Sequence, residues 1–274
     1  MFEYIKSVIF GIVEGITEWL PVSSTGHLIL LNEFLKLDVT DAFYKMYQVV
    51  IQLGAILAVI VLFFRKLNPF SKKKDPKQRR RTWILWAKVV VAVIPSAVIG
   101  LLLDDWMDAH FYNAWVVAAM LILYGIAFIL VERRNKGHAP KIKNCNEIDY
   151  RTAIFMGAFQ CLSLIPGTSR SGSTILGGIL LGVSRTAASE FSFFMAIPTM
   201  LGASGLKLLK YFLDGFTPSG SEIAILLIGC AVSFGVSLMV IKALMKYVRS
   251  HSFASFGWYR IVLGAVVLLY FLIF

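Results

Sequence analysis

Two stretches decide how this chain folds: Glu14-Gly15-Ile16-Thr17-Glu18-Trp19-Leu20-Pro21-Val22-Ser23-Ser24-Thr25-Gly26-His27 and Ile165-Pro166-Gly167-Thr168-Ser169-Arg170-Ser171-Gly172-Ser173-Thr174. Each lies inside an apolar run, yet each carries a proline followed by hydroxyl side chains and glycines. Proline removes a backbone donor and disrupts the preceding turn, so each run is expected to form two half-helices joined by a polar loop, a hairpin that enters a membrane and returns. Non-helical backbone at membrane depth persists only where protein or a water-filled cavity satisfies its polar groups. Both loops are therefore expected to line an interior site.

The rest of the chain supplies the membrane. Of its 274 residues 58% are hydrophobic and 16% charged, with a mean hydropathy of +0.74. Soluble domains have roughly 45–50% apolar and about 25% charged residues, so this composition excludes a soluble globular class. Eight apolar stretches run near 4–35, 44–64, 83–103, 113–131, 152–183, 187–213, 223–245 and 257–274, which leaves no room for a separate soluble domain. The expectation is one polytopic membrane domain over 1–274. Its first stretch carries Lys6, Glu14 and Glu18 and lacks a small-residue cleavage site, so the amino terminus is expected to be retained. Cys145, Cys161 and Cys230 match neither a disulfide framework nor zinc-ligand spacing and are expected to be inert.

The two broken stretches resemble each other. Gly11 to Glu14 aligns with Gly157 to Gln160 and, after a one-residue gap, Pro21 to Ser24 aligns with Pro166 to Ser169. Each is followed by three longer apolar segments. An odd number of crossings per copy inverts the second copy, so the fold class is an all-α integral membrane protein of two inverted-topology repeats, about 1–135 and 150–274, each a re-entrant broken-helix hairpin plus three transmembrane helices. Nine Lys or Arg lie between Arg65 and Arg81, six between Glu132 and Arg151, and Lys246 and Arg249 follow the seventh stretch. These loops, including the linker between the repeats, are expected on the cytoplasmic side. Asp104, Asp105 and Asp108 mark one outer loop; Asp214 and Glu222 flank another. The net charge of +11 thus reads as a topology signal, with anionic lipid contact as a secondary effect near 72–81 and no nucleic-acid motif.

Glu14 and Glu18 are four apart and share a helix face. Holding two carboxylates among apolar neighbours calls for a cation, an arginine or a proton, unless both snorkel to the interface. Paired carboxylates suit a divalent cation with a phosphate ligand, or a base. His27 follows Ser23, Ser24 and Thr25, and a serine becomes a nucleophile when a base is within reach; the alternative is a hydrogen-bonded spectator histidine. Arg170, between Ser169 and Ser171 and flanked by Gly167 and Gly172, has the composition of an anion site opening a half-helix at Thr174, or else it simply neutralises Glu14 or Glu18. Asp104, Asp105, Asp108 and His110 could bind a metal but read better as a solvated loop. Trp83, Trp86, Trp115 and Trp258 are placed as interfacial anchors, and Gln52 and Glu190 as supports of the cavity.

These two stretches strongly resemble the signature regions of the bacterial undecaprenyl-pyrophosphate phosphatase family, also called the bacitracin-resistance family. Ser184-Arg185 through Ala196-Ile197-Pro198 is similar as well, and the resemblance spans the chain. It implies removal of one phosphate from undecaprenyl pyrophosphate, recycling the lipid carrier of cell-wall synthesis, with a divalent cation (Mg or Ca). It also implies catalytic roles for Glu14, Glu18, Ser24, His27 and Arg170, metal binding by Glu14 and Glu18, and phosphate binding by Ser23, Ser169, Arg170, Ser171 and Thr174. The corresponding expectation is a multi-pass protein of the bacterial inner membrane with its site facing the periplasm. Its partners are a polyprenyl pyrophosphate and membrane lipids, with a homodimer left open. The competing class is a secondary transporter or flippase for a lipid phosphate or small anion, and a third is a lipid-binding scaffold without turnover.

Overall fold

The computed structural model describes residues 2–273, apart from the side chains of Asp104, Asp105 and Asp108, which lie outside the described residues. Twelve α-helices follow in order: α1 Phe2–Thr17, α2 Ser24–Phe34, α3 Asp41–Val50, α4 Gln52–Leu62, α5 Phe64–Leu67, α6 Pro76–Phe111, α7 Ala114–Arg134, α8 Tyr150–Cys161, α9 Arg170–Leu180, α10 Arg185–Leu213, α11 Gly220–Tyr247 and α12 Ala254–Ile273. Among the described residues there is no strand, only one isolated bridge from Ile142 to Val183.

Local sequence sets the boundaries. Helices α2, α3 and α6 to α11 each open on a Ser, Thr, Asp or Asn whose side chain accepts an amide three residues on. At α6, Asp75 and Gln78 form a reciprocal capping box with Pro76 in the first turn. Two expectations change as a result. The basic residues from Lys77 to Arg81 lie on the first turns of α6 and not in a loop. At its other end the same helix runs on to Phe111, so the segment expected as a solvated outer loop near Asp104 to His110 is helical.

Six segments are long and apolar enough to cross a membrane: Asp41–Leu62, Pro76–Leu103, Ala114–Arg134, Arg185–Leu213, Gly220–Tyr247 and Ala254–Ile273. The other five helices are not; α5 has only 4 residues. With 16, 11, 12 and 11 residues, α1, α2, α8 and α9 reach at most about 24 Å at ~1.5 Å per residue, short of a ~30 Å hydrocarbon core.

Each short pair folds back on itself. The start of α1 meets the end of α2, where Asp38 N donates to Glu3 Oε2 (2.9 Å) and Lys6 Nζ to Lys36 O (2.6 Å). The approach to α8 likewise meets the end of α9, with Lys141 N on Gly182 O (2.9 Å). The three basic segments also join one another. Lys66 pairs with Glu190, Lys88 Nζ donates to Asn146 O, Ser184 Oγ donates to Lys143 O, and Glu132 takes both Arg185 and the amide of Phe253. Glu190 therefore ties α10 to the basic end and does not support the cavity. Trp83, Trp115 and Trp258 are exposed, but Trp86 turns inward, its indole donating to Leu67 O (2.8 Å).

Helices of the two halves exchange partners: α1 packs on α11, α8 on α6, and α7 on α12. Lipid supplies no hydrophobic drive between helices, so close backbone approach at small residues carries much of this packing. A Cβ on Gly11 or Gly15 would lie 2.7 or 2.8 Å from the carbonyls of Gly229 and Ser233, and one on Gly157 only 1.9 Å from Ala92 O. Gly157→Ala is expected to lower stability by about 1–3 kcal/mol or more. Gly235→Ala, where an added Cβ meets nothing within 4 Å, should be neutral or stabilising by up to about 1 kcal/mol. Thermal unfolding of both variants in detergent checks the contrast.

Candidate functional site

Pro21 cannot continue α1, and the chain turns through Glu18 to Val22 before α2 begins at Ser24. The second break runs from a 3-10 turn at Leu162–Leu164 through Pro166 to α9. Gly167 adopts φ +89° with Val117 O only 2.6 Å from where a Cβ would stand, a place no other residue fits. Both loops end in the same way. Ser23 and Ser169 each have φ 73°, and among the described residues they are the non-glycine residues with positive φ. Each caps its helix, Ser23 Oγ accepting from Gly26 N (3.3 Å) and Ser169 Oγ from Gly172 N (3.1 Å). Such backbone costs on the order of 1–3 kcal/mol per residue and persists where the surroundings enforce it, most often at functional sites. The shared Ser-x-x-Gly cap pairs Ser23 with Ser169. Alignment on the prolines had paired Ser24 with Ser169, so the register in the loops shifts by one.

The two loops meet on Glu18. Ser24, the first residue of α2, donates its hydroxyl to Glu18 Oε2 (2.5 Å), and Arg170, the first residue of α9, donates Nη2 to Glu18 Oε1 (3.0 Å). Arg170 Nη1 is held by Ser192 O (2.9 Å), its guanidinium lies 5.8 Å from the Trp19 ring centroid, and its buried Nε has no partner among the described residues. Ser171 Oγ clasps the first loop at Glu18 O (3.1 Å) and Leu20 O (3.3 Å). Beside this junction is a cavity of about 160 Å³, lined from the two loops by Glu18, Ser23, Ser24, Thr25, Ser169 and Arg170 and from the flanking helices by Gln52, Thr199, Met200 and Ala203 among others. Two helix amino termini and a guanidinium converge there, an arrangement suited to an anion.

The remaining expected residues lie around the cavity. Glu14, one turn before Glu18, is fully buried, and neither of its carboxylate oxygens has a partner among the described residues. Thr174 is buried behind Arg170 with its hydroxyl on Arg170 O (2.9 Å) and Ser192 Oγ (2.6 Å), so it braces the loop. His27 stands outside the lining, its Nδ1 on Ser23 O and its Nε2 on the Tyr259 hydroxyl, both 2.7 Å. The base within reach of Ser24 is therefore Glu18. Gln160, aligned with Glu14, is an amide that donates to Ser96 and to Thr199 of the cavity wall. His110 bonds and stacks on Trp106 of its own helix. All three cysteines are free, and burial pushes the Cys145 thiol up to about 11, as expected of an inert residue.

Arg260 escaped the sequence reading. Fully buried on α12, it donates to Pro21 O (3.0 Å), Gly167 O (2.8 Å) and Thr168 O (3.0 Å), with longer bonds to Met120 O and Leu121 O. A lone cation inside the last apolar stretch was the available signal.

Among the described residues no three His, Cys, Asp or Glu side chains gather as a metal cluster. Of the pair Glu14 and Glu18, Glu14 keeps both oxygens unengaged while those of Glu18 are taken by Ser24 and Arg170; carboxylate oxygens are the donor type a hard divalent cation takes.

Residues 7–266 match the family model described as bacitracin resistance protein BacA. A protein of Enterococcus faecalis named undecaprenyl-diphosphatase is 58% identical over 267 residues, 97% of each chain. One of Streptococcus thermophilus with the same name is 58% identical over 98% of this chain and 94% of its own. A third, from Lactiplantibacillus plantarum, is 56% identical over 99% and 98%. The shared name denotes hydrolysis, in line with the phosphatase expectation and not with the carrier.

Arg260→Ala leaves several buried carbonyls unpaired at about 1–3 kcal/mol each, so it should lower the melting temperature and open both loops to protease. Arg260→Lys should restore little, because an ammonium lacks the fork that spans both loops. Thermal unfolding and limited proteolysis in detergent test this.

Proposed function

The chain belongs to the bacitracin resistance protein BacA family, and from that premise we propose how it works as an undecaprenyl-diphosphatase, releasing one phosphate from the lipid diphosphate. The observation that carries the mechanism is Glu18, which holds the Ser24 hydroxyl on one oxygen and the Arg170 guanidinium on the other. The diphosphate enters the cavity against the amino termini of α2 and α9. There Arg170, with its free Nε, takes the oxygens of the terminal phosphoryl group. Ser24 Oγ attacks the terminal phosphorus as its proton passes to Glu18 Oε2; the bond to the bridging oxygen breaks and the lipid monophosphate leaves. Water then attacks the phosphoserine, inorganic phosphate is released and Ser24 is reprotonated, with His27 as the proton carrier at the edge of the site. Positioning and charge neutralisation supply most of the rate.

Glu14 and Glu18 would hold a divalent cation, Mg or Ca. When bound, it neutralises phosphate charge.

We read the fold as two inverted repeats with re-entrant hairpins. Three features support this: the matched Ser caps, the helices too short to cross, and the exchange of α1 and α8 between halves. The hairpin ends also lie apart, that of α8 and α9 with the basic segments and that of α1 and α2 beside Ser219 and Glu222. By the positive-inside rule the basic end is cytoplasmic and the first hairpin enters from outside, in the inner membrane of a bacterium.

Ser24→Ala and Arg170→Ala should each lower kcat/KM for phosphate release from a polyprenyl diphosphate by at least about 10²-fold while remaining folded. Full activity in Ser24→Ala would make water the nucleophile. Loss of wild-type activity on chelation, reversed by Mg or Ca, checks the cation. A cysteine at Lys73 should resist impermeant reagents added to intact cells, whereas one at His110 should react.

A further inference from the structure

His27 is held from two sides, by Ser23 of the cavity lining and by Tyr259 of α12. Its Nδ1 lies 2.7 Å from Ser23 O and its Nε2 2.7 Å from the hydroxyl of Tyr259 on α12, with the two rings 3° from parallel and their centroids 5.8 Å apart. We propose that Tyr259 is a positioning residue for the reaction, fixing the tautomer and the ring plane of His27. The inference rests on the reading of His27 as proton carrier.

The chemistry of the two bonds dictates the tautomer. A carbonyl can only accept, so the neutral imidazole carries its proton on Nδ1, and its lone pair lies on Nε2, where the Tyr259 O–H donates. Turning the ring over would break both bonds. Neither anchor is free to drift. Ser23 is the left-handed cap of α2, and Tyr259 precedes Arg260, whose guanidinium is bonded to carbonyls of both broken loops. One dipeptide of α12 thus fixes the loops that form the site through its second residue and the imidazole at its edge through its first. Tyr259 is about half exposed, 47%, so its contribution to packing is limited and the hydroxyl is the feature a substitution must remove.

Tyr259→Phe keeps the ring and deletes the hydroxyl. It should lower kcat about tenfold to a hundredfold, leave KM within about twofold, alter the pH profile of kcat and keep the wild-type melting temperature. In a His27→Ala background the same change should cost nothing more. A wild-type rate and pH profile in Tyr259→Phe, with His27→Ala impaired, overturns the proposal and leaves the site reading intact. So does an equal loss in both backgrounds. Full activity in His27→Ala overturns both together. Nitrogen NMR of histidine-labelled wild-type protein gives a measurement that needs no variant: the His27 proton should be on Nδ1, and a proton on Nε2 in the neutral ring refutes the assignment.

Discussion

Two helix breaks inside an apolar body leave carbonyl oxygens at Pro21, Gly167 and Thr168 that need donors, and one guanidinium, Arg260, takes all three. Left unmade while buried, each bond would cost about 1–3 kcal/mol, so α12 stabilises both breaks by bringing this cation to them. Arginine suits the task because its donors fan out in a fixed plane and its charge strengthens each bond. The same contact brings the loops into register, since the carbonyls it binds belong to both. Everything the site does presupposes that register: Ser171 reaching Glu18 O and Leu20 O, and Arg170 reaching Glu18 Oε1.

The loops share a backbone plan but divide the chemistry. Each ends in a serine at φ 73° that caps an eleven-residue helix, so each offers a helix amino terminus to the cavity. Side chains then differ. The first loop contributes the carboxylates and Ser24; in the second, Gln160 stands at the position of Glu14 and Arg170 at that of Ser24. Joined, they place the hydroxyl and the guanidinium on two oxygens of one carboxylate.

Sequence alone disclosed the breaks, because proline followed by serines and glycines in an apolar run is chemically conspicuous. It disclosed the six long segments for the same reason, as apolar length is additive along the chain. Other features depend on geometry that no local pattern encodes. That Glu18 and not His27 holds Ser24 follows from how sharply the chain turns at Val22 and Ser23. The one-residue register of the loops is set by left-handed caps, which serine rarely adopts and sequence does not announce. The basic run was legible as charge but not as helix until the Asp75 and Gln78 box was considered, and the helical course from Asp104 to Phe111 was hidden by acids that read as loop. Arg260 drew no reading; its role depends on five carbonyls contributed by three distant segments.

The charge balance in the core points in one direction. Glu18 meets Arg170, and Arg260 is balanced by backbone dipoles, which leaves Glu14 fully buried with no hydrogen-bond partner on either oxygen among the described residues. A carboxylate in such surroundings is costly to keep ionised without a proton, an arginine or a cation nearby. Glu18 thus gathers the Ser24 hydroxyl and the Arg170 guanidinium, and Glu14, one turn away on the same helix face, is the carboxylate left without such partners.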